Sequence, residues 1–231
     1  QVFDLQGPAL AIDTACSSAL SALYLAERML MHNDCRQILV GGVHLNTTAA
    51  SLLGMQSAGA LSADPDTYRI FDVRSDGFFM GEGAGFVMLK RLDDALADGD
   101  TVLALLSGIA MNNDGHSVSV MSPRPKAQRE VVADAYSRAD LNKAKVIYIE
   151  AHGTGTPLGD AVEVRSLSQV FDDGITRYLG SVKANIGHLL SAAGMAGLIK
   201  TILCLIYRKI PPHIHAEQER ENLQLAQKHW R

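Results

Sequence analysis

Residues 9–30 read ALAIDTACSSALSALYLAERML: an apolar run, a tight turn through Asp13, Thr14 and Ala15, and a helix-forming stretch, with Cys16 where the turn gives way to the helix. The run at 9–12 predicts a short strand, so the segment reads strand, turn, helix. A thiol at a helix start faces backbone N–H groups that have no intrahelical partner, together with the positive end of the helix dipole. Both favour the thiolate, the nucleophilic form, which makes Cys16 the first candidate catalytic residue. Position alone does not establish this, because an unpaired cysteine is among the residue types most often buried for packing.

Outward from this segment, the helix after Cys16 is apolar over most of its circumference (Ala19, Leu20, Ala22, Leu23, Tyr24, Ala26, Leu30), with Glu27 and Arg28 as a narrow polar patch. Such a helix belongs in the middle of a domain. QILVGGV at 37–43 predicts a buried strand entering a glycine turn. Strand, helix, strand is a βαβ unit and implies a mainly parallel sheet with helices on both faces. Residues 49–66 read as helix and then loop, with Pro65, Asp66 and Asp76-Gly77 marking turns. Further strands are expected at 86–90, 102–112, 146–151 and from 177, and helices at 92–97, 126–139, 161–171 and 191–209, with the loop NNDGHSVSVMSPRP at 112–125. This alternation defines an α/β class without a low-complexity linker. The polar residues 216–231 predict a surface helix or frayed tail.

Composition excludes several functions. The 231 residues carry a net charge of -4 with Lys and Arg scattered, so no basic stripe offers itself to nucleic acid. Cys16, Cys35 and Cys204 are odd in number and lack a CxxC pair, which points to a reducing, cytoplasmic setting rather than a disulfide framework. The apolar run Leu198 to Ile206 is cut by Lys200 and is not expected to span a membrane, and the first residues lack the pattern of a secretory signal. Gly81, Gly83 and Gly85 have the spacing of a dinucleotide fingerprint but precede a strand instead of following one, so close packing is their expected role. His213, His215 and His229 lie near the chain's end and are not assigned to a metal.

The partners of Cys16 come from the second half of the chain. His152 follows the strand at 146–151 and opens the loop HGTGTP, whose glycines and threonines suit a closely approaching ligand. His188 is likewise expected at a strand end, preceded by Lys183, Asn185 and Gly187. Carboxyl ends of strands are where α/β sheets bind ligands. A cysteine hydrolase would use Cys16 and one histidine, leaving the second histidine and Lys183 without a task.

DTACSSAL (13–20), EAHGTGTPLGD (150–160) and GSVKANIGHLLSAAG (180–194) resemble the three catalytic signatures of β-ketoacyl synthases, in the style of the ketosynthase domains of modular type I polyketide synthases. The resemblance includes FDVRSDGFFMGEGAGFVMLKRL (71–92) and the MNNDG loop, and runs from residue 1 to about 215. It implies a thiolase-like layered fold, with helices sandwiching mixed, largely parallel sheets. Residues 1–110 would be the remainder of an N-terminal half carrying the nucleophile, 111–215 part of a C-terminal half carrying both histidines, and 216–231 a polar tail. Residue by residue, the resemblance implies Cys16 as the acyl-accepting nucleophile, and His152 and His188 as the pair acting on a malonyl thioester. Lys183 matches the family lysine and Glu163 its acidic partner, Thr154 and Thr156 match the threonines that bind the pantetheine arm, and Asp160 is structural.

The implied reaction is a decarboxylative Claisen condensation in polyketide or fatty-acid chain elongation. Substrates arrive on the phosphopantetheine of an acyl carrier protein, without a bound cofactor or metal. A homodimer with neighbouring polyketide synthase domains is implied as well. Two imidazole N–H donors in a dry pocket suit an enolate, provided neighbouring groups fix the tautomer. Leu190 stands where many polyketide ketosynthases have Glu. Set against the family, the chain is truncated at both ends, without the first strands or the glycine-rich GFGGTN segment that supplies an oxyanion donor. The alternative is therefore a catalytically incompetent piece acting through assembly with another chain.

Overall fold

The computed structural model describes residues 4–64, 66–117 and 122–231, so Pro65 and the middle of the 112–125 loop lie outside the described residues. In chain order the elements are α1 (Ser18–Met31), β1 (Gln37–His44), α2 (Ala49–Ser57), β2 (Gly83–Lys90), α3 (Leu92–Ala97), α4 (Pro125–Ala139), β3 (Tyr148–Glu150), α5 (Pro157–Val170), β4 (Tyr178–Gly180), α6 (Lys183–Ile186) and α7 (Ala193–Tyr207). The helix expected after Cys16 is present. It buries Ala19, Leu23, Ala26 and Leu30, whereas Leu20 and Met31 are exposed.

The strand pairing differs from the βαβ reading of the first half. β1 pairs with β2 in an antiparallel ladder that sets Val40 opposite Val87. The segments 9–12 and 102–111 form no strand. A strand exists only with a hydrogen-bonded neighbour, and among the described residues none is presented to either segment, so Leu10, Leu103, Leu105 and Met111 are exposed. The parallel unit lies in the second half instead, where β3 pairs with β4 through the crossover helix α5.

Two apolar cores result. The smaller one gathers Ala19, Leu23 and Ala26 of α1, Val40 of β1 and Met195 of α7. The larger one joins Tyr68, Ile70, Phe71 and Phe78 to Val164, Leu167 and Phe171 around α5 and to Leu179 of β4. It also contains Leu223 and Trp230, 1% and 3% exposed, so residues 216–231 are docked and not frayed. The buried Asp72 carboxylate accepts the backbone N–H groups of Glu217 and Gln218, each at 2.9 Å. Trp230 Nε1 donates to Ser168 Oγ at 2.9 Å, and the backbone of 229–231 hydrogen-bonds to Arg177 and Leu179 along the free side of β4.

Gly81, just before β2, and Gly85, within it, serve packing. A Cβ on Gly81 would lie 2.3 Å from the Ile186 carbonyl oxygen, and one on Gly85 would lie 2.7 Å from Ile199 of α7. The span Leu190–Tyr207, 18 residues of mean hydropathy 1.7, is long and apolar enough to cross a membrane by length and composition, contrary to the expectation based on Lys200. Lys200, the one charged residue of the span, is paired through its Nζ with Glu150 at 2.8 Å.

Candidate active site

The turn before α1 is held by its own side chains. Asp13 Oδ1 accepts from Ala15 N at 2.9 Å. Ser18 Oγ accepts from Thr14 N at 2.9 Å and donates to the Ala15 carbonyl at 2.6 Å. Ala15 has φ 55°, a left-handed conformation that costs a non-glycine residue energy and needs this support. Cys16 follows at the crest. Burial pushes its thiol above the ordinary value, with the Lys183 cation opposing. The helix start alone argued for a depressed value; here loss of solvation outweighs it.

His188 is 1% exposed and is reached through α6, not from a strand end as the sequence suggested. Its backbone is stitched to the segment leading into β2: His188 N donates to the Phe79 carbonyl at 2.7 Å, and Gly81 N donates to the His188 carbonyl at 3.0 Å. Leu190 N donates to His188 Nδ1 at 3.1 Å. An Nδ1 that accepts places the ring proton of a neutral imidazole on Nε2. That Nε2 is buried and has no hydrogen-bond partner among the described residues. Phe78 abuts the ring with centroids 5.0 Å apart.

His152 does follow β3, as expected, and its ring meets that of His188 edge to face at 5.4 Å. It reaches the surface while His188 does not. Desolvation holds the buried His188 imidazole below the usual histidine range, and His152, although part of it meets solvent, is lowered in the same direction; the Lys183 cation adds to both, so both rings are neutral near pH 7. The Cys16 sulfur and one ring nitrogen from each histidine lie within 4.8 Å of one another. The three residues singled out from distant parts of the sequence thus converge.

The supporting residues divide differently from expectation. Lys183 is 4% exposed; burial lowers its pKa, while the nearby carboxylates of Glu163 and Glu150 counteract this. Glu163 does not close on Lys183 as an ion pair among the described residues. Its carboxylate accepts from the backbone N–H groups of His152 and Gly153 at 2.6 and 2.7 Å, so it anchors the histidine loop directly. Asp160 is 2% exposed and accepts from Phe71 N and Gly155 N at 2.9 and 3.0 Å, with burial raising its carboxyl to about 7. Thr154 and Thr156 share a hydroxyl hydrogen bond of 2.9 Å, and Tyr68 Oη donates to the Thr154 carbonyl at 2.8 Å.

Sequence reasoning missed Tyr68, the stitching segment 78–81 and Glu150. Only Glu150 left a signal, as an acidic residue closing an apolar strand two positions before a candidate histidine. An open cleft lined by Asn46, Leu52, Leu61, Phe78 and Met80 adjoins the His188 loop.

A cysteine flanked by two neutral imidazoles, one with a free N–H, is a site suited to thioester chemistry. Residues 1–95 match the family model "Beta-ketoacyl synthase, N-terminal domain" and residues 103–217 match "Beta-ketoacyl synthase, C-terminal domain". The chain belongs to the β-ketoacyl synthase family. It is 48% identical over 218 residues to a phenolphthiocerol/phthiocerol polyketide synthase of Mycobacterium tuberculosis, covering 93% of this chain and 12% of that protein. Among solved structures it superposes on the oxazolomycin ketosynthase domain OzmH KS7 of Streptomyces albus JA3453 with a TM-score of 0.96 at 41% identity, covering 99% of this chain and 40% of that one. The ketosynthase from module 6 of the bacillaene synthase of Bacillus subtilis 168 gives a TM-score of 0.92 at 40% identity, covering 95% and 40%. The fold is therefore that of the thiolase-like ketosynthase domains, and this chain spans less than half the length of those solved chains.

Proposed function

We propose that the site performs the decarboxylative Claisen condensation of polyketide chain elongation. An acyl group passes from a carrier-protein phosphopantetheine to the Cys16 sulfur, with the thiol proton leaving on the released carrier thiol. A malonyl-type thioester then loses CO2, and the resulting carbanion attacks the Cys16 thioester to give a β-ketoacyl thioester and free Cys16. The observation that carries this reading is the buried Nε2 of His188, without a partner among the described residues, within the Cys16–His152–His188 cluster. A fixed N–H donor in a dry site stabilises an enolate oxygen with no reorganisation. His152 supplies the second donor, and Lys183 holds local charge. Thr154 and Thr156 receive the pantetheine arm, and the cleft at Phe78 and Met80 receives the acyl chain. The chemistry needs no bound cofactor or metal.

An acyl carrier protein is the substrate-bearing partner, a homodimer within a larger polyketide synthase the working assembly, and the cytoplasm the setting. Incubation with an acyl carrier thioester should add the acyl mass to the Cys16 peptide, and malonyl carrier protein should then release CO2. Acyl mass that persists on Cys16→Ala protein would overturn the nucleophile. A second reading, a non-catalytic piece that acts through assembly, draws on the exposed Leu39, Val43, Phe86 and Met88 along one face of the β1–β2 ladder. It predicts no CO2 release above the His188→Ala background.

A further inference from the structure

Glu150 closes β3, two residues before His152, with its side chain 11% exposed. Its Oε1 accepts from Val182 N at 2.5 Å, at the residue that opens α6 and immediately precedes Lys183. Its Oε2 is paired with Lys200 of α7 at 2.8 Å and receives a hydrogen bond from Tyr148 Oη. The side chain lies against α7 at a glycine: a Cβ on Gly197 would come 3.1 Å from Glu150 Cγ. One carboxylate thus holds three parts of the molecule. It is covalently next to the His152 loop, hydrogen-bonded to the turn carrying Lys183 and leading to His188, and ion-paired to the long helix behind both.

We propose that Glu150 is a positioning residue that sets the separation of the two imidazoles by clamping the Val182 turn to the end of β3. The assignment rests on the condensing reading of the site. Lys200 pairs with the carboxylate at 2.8 Å, and Gly197 provides the room that lets it reach Val182. Glu150 touches neither Cys16 nor a substrate position, so its influence falls on the step that needs both histidines. Acyl transfer to Cys16 does not need that spacing.

The test uses the whole chain. Glu150→Gln keeps an oxygen for Val182 N–H and removes the charge, whereas Glu150→Ala removes both. Three quantities are read: acyl mass on the Cys16 peptide, CO2 release from malonyl carrier protein, and the imidazole 15N resonances of His152 and His188. A misplacement of this kind should cost Glu150→Ala about tenfold to a hundredfold in CO2 release, in kcat rather than KM, with acylation within about twofold and Glu150→Gln within about threefold of the parent. The imidazole signals should move in Glu150→Ala only. Unchanged CO2 release and signals in Glu150→Ala, or an equal loss of acylation and release, overturn the proposal.

If the parent chain itself releases no CO2, the reaction assignment fails and the imidazole signals decide alone: movement in Ala but not in Gln supports positioning, and none overturns it. Should Glu150→Ala not fold by circular dichroism, Glu150→Asp takes its place. Its shorter reach should lower release and shift the signals in the same direction, and parent-like values overturn the proposal.

Discussion

The half that carries the nucleophile and the half that carries the histidines are built differently. Around Cys16 the framework is one helix on a two-stranded antiparallel ladder with a small aliphatic core, and the outer ladder face, with Leu39, Phe86 and Met88, is exposed. Around His152 and His188 the framework is a parallel β–α–β unit with a larger aromatic core and buried carboxylates. Asp72 and Asp160 are buried and Glu163 and Glu150 half-buried, and each accepts at least one backbone N–H from a segment that carries no regular ladder. A carboxyl group withdrawn from solvent is costly unless hydrogen-bonded, and here these groups fix loops. The nucleophile needs only a rigid turn, while the donor pair needs a set spacing, and the placement of polar groups follows that need.

The contrast can be broken by substitution. The largest effect is expected at Trp230→Ala, which removes an aromatic anchor of the histidine half and the Ser168 hydrogen bond; about 3–5 kcal/mol of stability should be lost in a denaturant titration. A loss below about 1 kcal/mol would mean that the docked tail contributes nothing to that half. Next is His188→Ala, expected to lower CO2 release about 10²–10³-fold by removing a preorganised donor while Cys16 acylation persists. Loss of both activities together would place His188 in the nucleophile's own step. The Cys16 thiol comes third. Since burial raises its pKa above the ordinary thiol value, its alkylation by iodoacetamide, followed on the Cys16 peptide, should keep climbing with pH from neutrality into the alkaline range without a plateau. Saturation near pH 7 would show the helix start prevailing over burial. The smallest effect belongs to Met88→Ser on the exposed ladder face, within about 0.5 kcal/mol; a larger loss would show that this face is covered in solution.

The parts of this architecture legible in the sequence are those determined locally. α4 follows from its apolar stripe, α1 and α7 from continuous apolar and small-residue stretches, and β1 from its β-branched run. The convergence of Cys16, His152 and His188 could be read because each carries a distinctive neighbourhood. What could not be read depends on distant chain. Residues 9–12 look like a strand, but pairing requires a neighbour that no local pattern specifies. The tail looks solvated because its polar letters outnumber its anchors, and the group that captures it, Asp72, is 145 residues away from Glu217. The Cys16 thiol is misread locally for the same reason: a helix start is visible within a few letters, whereas burial is a property of the folded chain. Glu163 sits where an acidic residue was expected, yet which hydrogen bonds it makes depends on how the β3–α5 loop closes.

The stitch between residues 79–81 and His188 makes β2 a gauge for the site. The strand that frames the nucleophile's helix continues backwards, without a break, into the segment whose carbonyl and N–H hold His188 on both sides. A sliding of β2 along its own axis would therefore carry the second imidazole with it. Because β2 is registered against β1 residue by residue from Gly83 to Lys90, slippage is quantised in whole residues, not graded. The separation between sulfur and imidazole is thus inherited from a ladder register, and wear at the seam would show as an abrupt loss of alignment instead of a gradual drift.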